Sequence, residues 1–253
     1  MKTKVIIIGY GTMGQAIAKA LSRHKSLVEI FTVDKNDKNK KKTSSIKKSD
    51  FVILAVKPQN AEEAIEQLRN FKLDHKKTIL VSIMAGFPMK KIAKLSGHKK
   101  IVRMMPNLGL LVGMGIAAWK KTGLSESETN KTKNFIDRIT ENFEVRDEDT
   151  IDKVTAISGS GPAYFFTLAD CLINASKSLG LTEEKSKILV GKTFSAGAIL
   201  GKDADYPALI KKIASKGGTT EAALKIFQKK NFNKIVSAAV FSAYKRAKEI
   251  SHK

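Results

Sequence analysis

The chain has 253 residues, 42% of them hydrophobic, which is enough for a sizeable core in one or two domains. Its one cysteine, Cys171, excludes an intrachain disulfide and suits a reducing compartment, and the scattered His24, His75, His98 and His252 have no metal-ligand spacing, so no metal is expected. The net charge of +22 rests on 46 basic residues, only six of them arginine. Arginine is the side chain suited to bidentate phosphate and base recognition, so these dispersed lysines read as a solvated surface and no nucleic-acid partner is expected. The positive field still suits the gathering of anionic substrates.

Met1 to Lys4 is followed by only four apolar residues before Gly9, too short for a signal peptide, and no run approaches a membrane span. A soluble cytoplasmic protein with no membrane partner is the expectation. Those four residues, Val5 to Ile8, are β-branched and read as a buried parallel strand. The strand runs into Gly9-Tyr10-Gly11-Thr12-Met13-Gly14, and Gln15 to Leu21 reads as a helix. Strand, glycine turn and helix in this order are the context that a dinucleotide fingerprint requires. Gly9 permits the tight turn, Gly11 lets the backbone approach a pyrophosphate, and Gly14 lets helix pack on strand. The N–H groups that open the helix, from Thr12 and Met13 onward, would face the phosphates.

Leu27 to Val33 reads as a second strand that ends at Asp34, twenty residues beyond Gly14. An acidic residue there accepts hydrogen bonds from the adenosine ribose and repels a 2′-phosphate, which favours NADH. Lys35 and Lys38 argue the other way, since either pairs readily with a 2′-phosphate, so NADH and NADPH both stay open. Phe51 to Val56 is a third strand. It delivers Ala55, Val56, Lys57 and Pro58 to the carboxyl edge, where open α/β sheets bind ligands. A helix follows through Ala61 to Leu68. Thr78 to Ile83 is a fourth strand, with Ala85 in the next turn at the same edge. Pro88 opens a helix that stops at Gly97. Lys100 to Met105 is a fifth strand and Gly113 to Trp119 a sixth. Ser125 to Ile139 is a helix opened by the capping-box spacing of Ser125 and Glu128, and Phe143 to Arg146 is a last strand.

From about Asp149 no buried strand follows and helical periodicity takes over. The expected organisation is a dinucleotide-binding domain over 1–148 and a helical substrate-binding and dimerisation domain over 149–253. The fold class is α/β, a doubly wound and mostly parallel sheet joined to an all-α domain. Tyr164, Leu168, Cys171 or Leu172, Ala175 and Leu179 form an apolar stripe read as core. The helix from about Thr182 to Leu200 is apolar nearly all round in its second half, which points to packing against a second subunit. Two glycine-rich stretches interrupt this half, Ser158-Gly159-Ser160-Gly161-Pro162 and Ser215-Lys216-Gly217-Gly218-Thr219-Thr220. The second offers backbone N–H groups and hydroxyls at a helix start and suits a small carboxylate.

Taken together, Gly9 to Gly14, Ala55 to Gln59, Ser82 to Gly86, Arg103 to Asn107, Ser158 to Tyr164 and Gly217 to Thr220 resemble the pyrroline-5-carboxylate reductase family over nearly the whole chain. The last two segments are the specific ones. The resemblance implies hydride transfer from NADPH or NADH to the C=N carbon of 1-pyrroline-5-carboxylate, giving L-proline. It also implies an intertwined helical homodimer, often assembled into a decamer. Thr220 would donate a hydrogen bond to the imine nitrogen, and the Gly217, Gly218 and Thr219 backbone would hold the carboxylate, with Ser158 and Ser215 beside it. The chain departs from the family pattern at Lys216, at Leu108-Gly109 and at Met114, which bears on substrate affinity and loop order. Another reductase of cyclic imines or β-hydroxyacids is the alternative enzyme, although Lys177 lacks the surroundings expected of a catalytic lysine. A nucleotide-binding regulator without catalysis is the alternative from another class.

Overall fold

The computed structural model describes residues 2–33, 49–71 and 73–252. Asp34, Lys35 and Lys38 lie outside the described residues. Strands β1 (Thr3–Ile8), β2 (Val28–Val33), β3 (Phe51–Leu54), β4 (Ile79–Ser82), β5 (Ile101–Pro106), β6 (Ile116–Thr122) and β7 (Glu141–Glu144) form one sheet. Its order is β2-β1-β3-β4-β5-β6-β7. The first five strands are parallel; β6 runs antiparallel to β5, and β7 runs parallel to β6. The Val5 to Ile8 run is buried throughout because both faces of the sheet are covered. Successive side chains point to opposite faces, so Val5 and Ile7 join one core cluster and Ile6 and Ile8 the other.

Each cluster is closed by helices whose apolar residues recur every three or four positions. Helix α1 (Thr12–Ser22) supplies Ala16, Ile17, Ala20 and Leu21 to the first, and α4 (Glu126–Asp137) adds Phe135 and Ile136. Helix α2 (Ala61–Asn70) supplies Ala61, Ala64, Ile65 and Leu68 to the second, and α3 (Met89–Ser96) adds Met89 and Ile92. The doubly wound arrangement read from the alternation of strand and helix is therefore the one formed. Ser125 and Glu128 make the expected capping box on α4, and Gly97 stops α3 with a left-handed φ of 74°. Pro88 stands just before α3 in extended backbone, not inside it, and the first helical N–H, that of Met89, reaches Glu148 Oε1 at 3.1 Å.

The chain divides into two compact units, Met1–Pro162 with Ser242–Lys253, and Ala163–Phe241. The first holds α5 (Glu148–Val154), beyond the residue at which the sequence changes character. Its reason is electrostatic. Arg103 of β5 is 1% exposed and is paired with Glu148 at 3.0 Å and Asp152 at 2.5 Å. Asp149 faces the other way and accepts from Tyr244 Oη at 2.5 Å and Lys248 Nζ at 2.6 Å, both on α10 (Phe232–His252). Hydrogen bonds from Lys153, Lys248 and Tyr244 hold the Asp149 carboxyl well below the usual range.

The second unit contains most of α6 (Gly161–Ser178), then α7 (Glu183–Leu200), α8 (Tyr206–Ile213), α9 (Thr219–Lys229) and the start of α10. Among its described residues only Ser186 and Gly201 are buried. The stripe read as core on α6 is therefore not covered by this chain: Tyr164 and Leu168 are half-buried, Cys171, Leu172 and Ala175 are exposed, and Leu179 is 84% exposed. Periodicity marks an apolar face correctly, but it does not say which polypeptide covers that face.

His98, beside Gly97, is 2% exposed and stacks on His75 with ring centroids 3.8 Å apart. Burial, and then the charge of His75, lower its pKa from 6.5 to about 4. Below pH 6.5 the unfolded chain takes up a proton at this site that the folded chain refuses, so folding stability is lost as pH falls toward 4. Denaturation midpoints measured across this window should fall more steeply in the wild type than in H98Q, with a total difference of at most about 3 kcal/mol.

Candidate active site

Three turns stand at the carboxyl edge of the sheet, after β1, β3 and β4. Gly9 closes β1: its N–H donates to Val33 O at 2.9 Å, and its φ of 92° lies in the left-handed region that glycine enters without strain. A Cβ there would stand 2.7 Å from Ala55 O and 2.8 Å from Val56 Cγ1. A Cβ on Gly14 would collide with the carbonyl oxygen of Gly9. These two positions show why the turn needs glycine: β1, the turn after β3 and the first turn of α1 approach within backbone contact. Gly11 differs, since nothing lies within 4 Å of the Cβ it lacks. It opens toward free space at the start of α1, which has no side-chain cap and no acidic residue in its first turn. The N–H groups of Thr12, Met13 and Gly14 have no acceptor within the helix, so the positive end of α1 is bare. That cradle fits a pyrophosphate in shape and in sign.

A cavity of about 350 Å³ extends from the glycine turn. Gly9, Gly11, Ala55, Val56 and Lys57 all line it. Lys57 is exposed in extended backbone, and Pro58 begins the short 3₁₀ turn Pro58–Asn60 that leads into α2. Ala85 is half-buried in the turn after β4 and is not part of the cavity wall. The further wall is one face at the start of α2, Glu63 and Gln67 with the N-cap Asn60, and Tyr10 and Val33 beside the glycines. Its signal was available, because three polar residues at intervals of three and four directly after Lys57-Pro58 share a helix face next to the strand edge.

The two later glycine-rich stretches take different forms. Ser158 lies in a π-helical turn, Thr155–Gly159, that joins α5 to α6 with little break. Ser160 N–H reaches back five residues to Thr155 O at 2.9 Å, and Ser158 Oγ donates to Val154 O at 3.3 Å. The first stretch therefore begins in a widened helical turn and runs into the start of α6 at Gly161, with Gly159 set against Met105 at the end of β5. Single π turns within helices are frequent at functional sites.

The second stretch is a helix entry. Gly218 is the N-cap of α9, so Thr219 and Thr220 form its first turn. Gly217 has a φ of 75°. Its N–H donates to Glu221 Oε2 at 2.7 Å, and Gly218 N–H donates to Ser215 O at 3.0 Å. Both N–H groups thus have acceptors within the loop. The N–H groups of Thr219, Thr220 and Glu221 precede the first intrahelical bond, Ala222 N–H to Gly218 O at 3.2 Å, and point out of the helix start. Thr220 is half-buried and Ser215 is exposed. The outward N–H groups and the positive end of α9 suit a small anion, and Thr220 carries a hydroxyl in the same turn. Lys177 is exposed at the end of α6 and pairs with Glu183 at 3.4 Å. Among the described residues no group of three His, Cys, Asp or Glu side chains is placed to hold a metal.

Comparison with known proteins bears on both halves of the chain. Residues 148–250 match the family model described as pyrroline-5-carboxylate reductase dimerisation, and residues 4–86 match the model described as NADP oxidoreductase, coenzyme F420-dependent. The pyrroline-5-carboxylate reductase of Aquifex aeolicus is 33% identical over 98% of this chain and 97% of its own. That of Arabidopsis thaliana is 31% identical over 98% and 95%. Among solved structures, the Plasmodium falciparum pyrroline carboxylate reductase with NADP bound superposes with a TM-score of 0.86 at 27% identity, covering 98% of each chain.

The glycine turn can be tested on the unliganded protein. G14A should cost about 1–3 kcal/mol of stability through forced displacement of the Gly9 carbonyl. G11A, open on all sides, should stay within about 0.5 kcal/mol of wild type. Thermal melts of the two variants side by side check the contrast.

Proposed function

The chain belongs to the pyrroline-5-carboxylate reductase family, and from that membership we propose that it reduces 1-pyrroline-5-carboxylate to L-proline with hydride from NADPH or NADH, the last step of proline biosynthesis. The observation that carries this reading is the pairing of two anion cradles in one chain, the glycine turn before α1 and the Gly217–Thr220 entry to α9, within a match that spans 98% of the sequence.

A reduced nicotinamide, when bound, supplies the hydride that adds to the imine carbon. The bare first turn of α1 would hold the pyrophosphate, and Ala55, Val56, Lys57, Pro58 and Ala85 lie along the edge that the rest of the cofactor would follow. The substrate is an anion. Its carboxylate takes the outward N–H groups of α9's first turn, Thr219 foremost, where the helix dipole favours negative charge. Gly217, Gly218 and Ser215 shape that turn, and Ser158, in its own π turn, is by the family resemblance a further residue for substrate binding. As the C=N double bond is reduced, the carbon gains hydrogen and the nitrogen gains the electron pair. A donor at nitrogen therefore stabilises the transition state more than the ground state. Thr220 Oγ1–H takes this part. A threonine hydroxyl is a poor acid, so it orients and donates a hydrogen bond while the net proton arrives on the imine beforehand or from water.

The helical unit supports a homodimer. Its long apolar side chains face outward, among them Phe165 at 61%, Ile199 at 74% and Phe241 at 70% exposure. Helices that bury almost nothing within their own chain do not offset the entropy of ordering, so a second copy supplies the missing half of the core. The helices that do so lie within the 149–253 region read as the dimerisation domain, chiefly those of the second unit, Ala163–Phe241, and a decamer built from such dimers is the further assembly we propose. A cytoplasmic site of action fits the single cysteine, which is exposed on α6.

Oxidation of NADH and of NADPH with added 1-pyrroline-5-carboxylate, at equal cofactor concentrations, tests the reaction directly. Substrate-dependent loss of absorbance with proline as product is the expected result, and the ratio of rates decides the roles of Asp34 and Lys35. Absence of turnover in folded protein would favour the regulatory alternative. T220A should lower kcat by about ten- to a hundredfold while cofactor affinity stays near wild type; an unchanged kcat removes Thr220 from the chemistry. Light scattering should give a mass at least twice that of one chain.

A further inference from the structure

The loop that precedes α9 is held by very little. Nothing lies within 4 Å of the Cβ position of Gly217, so packing does not fix its left-handed turn. Lys216 and Gly217 are both exposed. Besides the bond from Ser215 N–H back to Ile213 O, two hydrogen bonds hold the turn, Gly218 N–H to Ser215 O and Gly217 N–H to the Glu221 carboxylate. The first closes a local turn. The second ties that turn to the helix, because Glu221 is the third residue of α9. The same carboxylate is itself anchored: its other oxygen lies 3.3 Å from Lys225 Nζ, one turn further along the helix. Glu221 is therefore pinned from both sides, by a cation below and a backbone donor above.

We propose that Glu221 is a positioning residue for substrate recognition, fixing the Gly217–Gly218 turn so that the Thr219 and Thr220 N–H groups face the substrate carboxylate. This rests on the reading of the Thr219–Thr220 turn as the carboxylate site. A glutamate at the third helical position ordinarily reaches back to the N-cap N–H. Here it reaches one residue further, since the N-cap N–H of Gly218 is already bonded to Ser215. The bond is charge-assisted, which makes it stronger than a neutral one of the same length. Without it, Gly217 and Lys216 would sample the many backbone states open to a glycine turn, and the substrate would have to order them on binding. The effect belongs in KM for the imine, not in kcat or in cofactor affinity.

The test is steady-state kinetics on E221A, E221D and E221Q in the full-length protein. E221A should raise KM for 1-pyrroline-5-carboxylate about fivefold, with kcat within about twofold and KM for the cofactor unchanged. E221D keeps the charge at the helix start but withdraws it by one methylene, and it should raise KM similarly, so it carries the test if E221A fails to fold. E221Q keeps both length and acceptor and should restore most of the wild-type KM. A KM that falls in E221A would overturn the proposal, because Glu221 would then be a competitor for the substrate's donors. An unchanged KM would overturn it as well. If wild-type protein turns over and the variants match it, this inference alone fails; if wild-type protein shows no turnover, the reading of the reaction fails and takes this one with it.

Discussion

One buried cation organises the sheet unit. Arg103 sits in the middle of β5 with 1% of its side chain exposed, where an unpaired charge would cost several kcal/mol. Glu148 and Asp152, one turn apart on α5, neutralise it. That requirement pulls α5 onto the sheet. Glu148 also accepts the N–H of Met89, so the same carboxylate caps α3. Asp149, between them on the opposite face, binds Tyr244 and Lys248 and so fastens the end of α10. The fastening has a steric mark. Gly86, in the turn after β4, has no room for a side chain because Ala247 O and Ile250 Cβ stand 2.5 and 2.7 Å from where one would begin. Three neighbouring acids on one short helix thus link β5, α3 and the end of α10. Pairing of this kind contributes little net stability compared with apolar packing, but loss of both acids, or of Arg103, would leave buried charge uncompensated.

The two candidate anion sites use the same physics on different scaffolds. In each a helix starts without a side-chain cap, and the residue before it is a glycine in extended backbone. The first-turn N–H groups are left for a ligand. They differ in how the approach to the helix is held. Before α1, rigidity comes from steric contact, with Gly9 and Gly14 pressed against each other and against the turn after β3. Before α9 the only close approach is local, of Gly218 to Ser215, Gly217 stands open, and hydrogen bonds within the loop do most of the holding. A dinucleotide is large and meets many fixed groups. A small carboxylate meets few, so the order of its loop weighs more in its affinity.

The helical unit shows the limit of a single chain as a unit of stability. Helix α7 contains Gly191, Ser195, Ala196, Gly197 and Ala198 among larger apolar residues, a composition that permits close helix approach, yet Ile188, Leu189, Ile199 and Leu200 are all more than half exposed. Such a surface is an interface awaiting its other side. The sequence already said this of α7. For α6 it did not, because an amphipathic stripe looks the same whether its cover comes from the same chain or another.

What the sequence by itself determined is local. The β-branched run before Gly9, the glycine spacing, the capping box at Ser125 and the alternation of strand and helix are each written in a few adjacent residues, and each formed as expected because steric and hydrogen-bonding rules act over that range. Only the tertiary structure decided the rest. It made Thr155–Gly159 a widened turn ahead of α6, since the packing of Gly159 on Met105 and the continuity of α5 with α6 join segments that no local pattern relates. It placed α5 with the sheet, through an arginine 45 residues earlier in the chain. It gave the cavity its α2 wall, and it assigned the Gly217 N–H to Glu221. In every case the deciding partner is distant in sequence or one of several equivalent local choices, and burial and charge pairing, which are properties of the folded whole, made the selection.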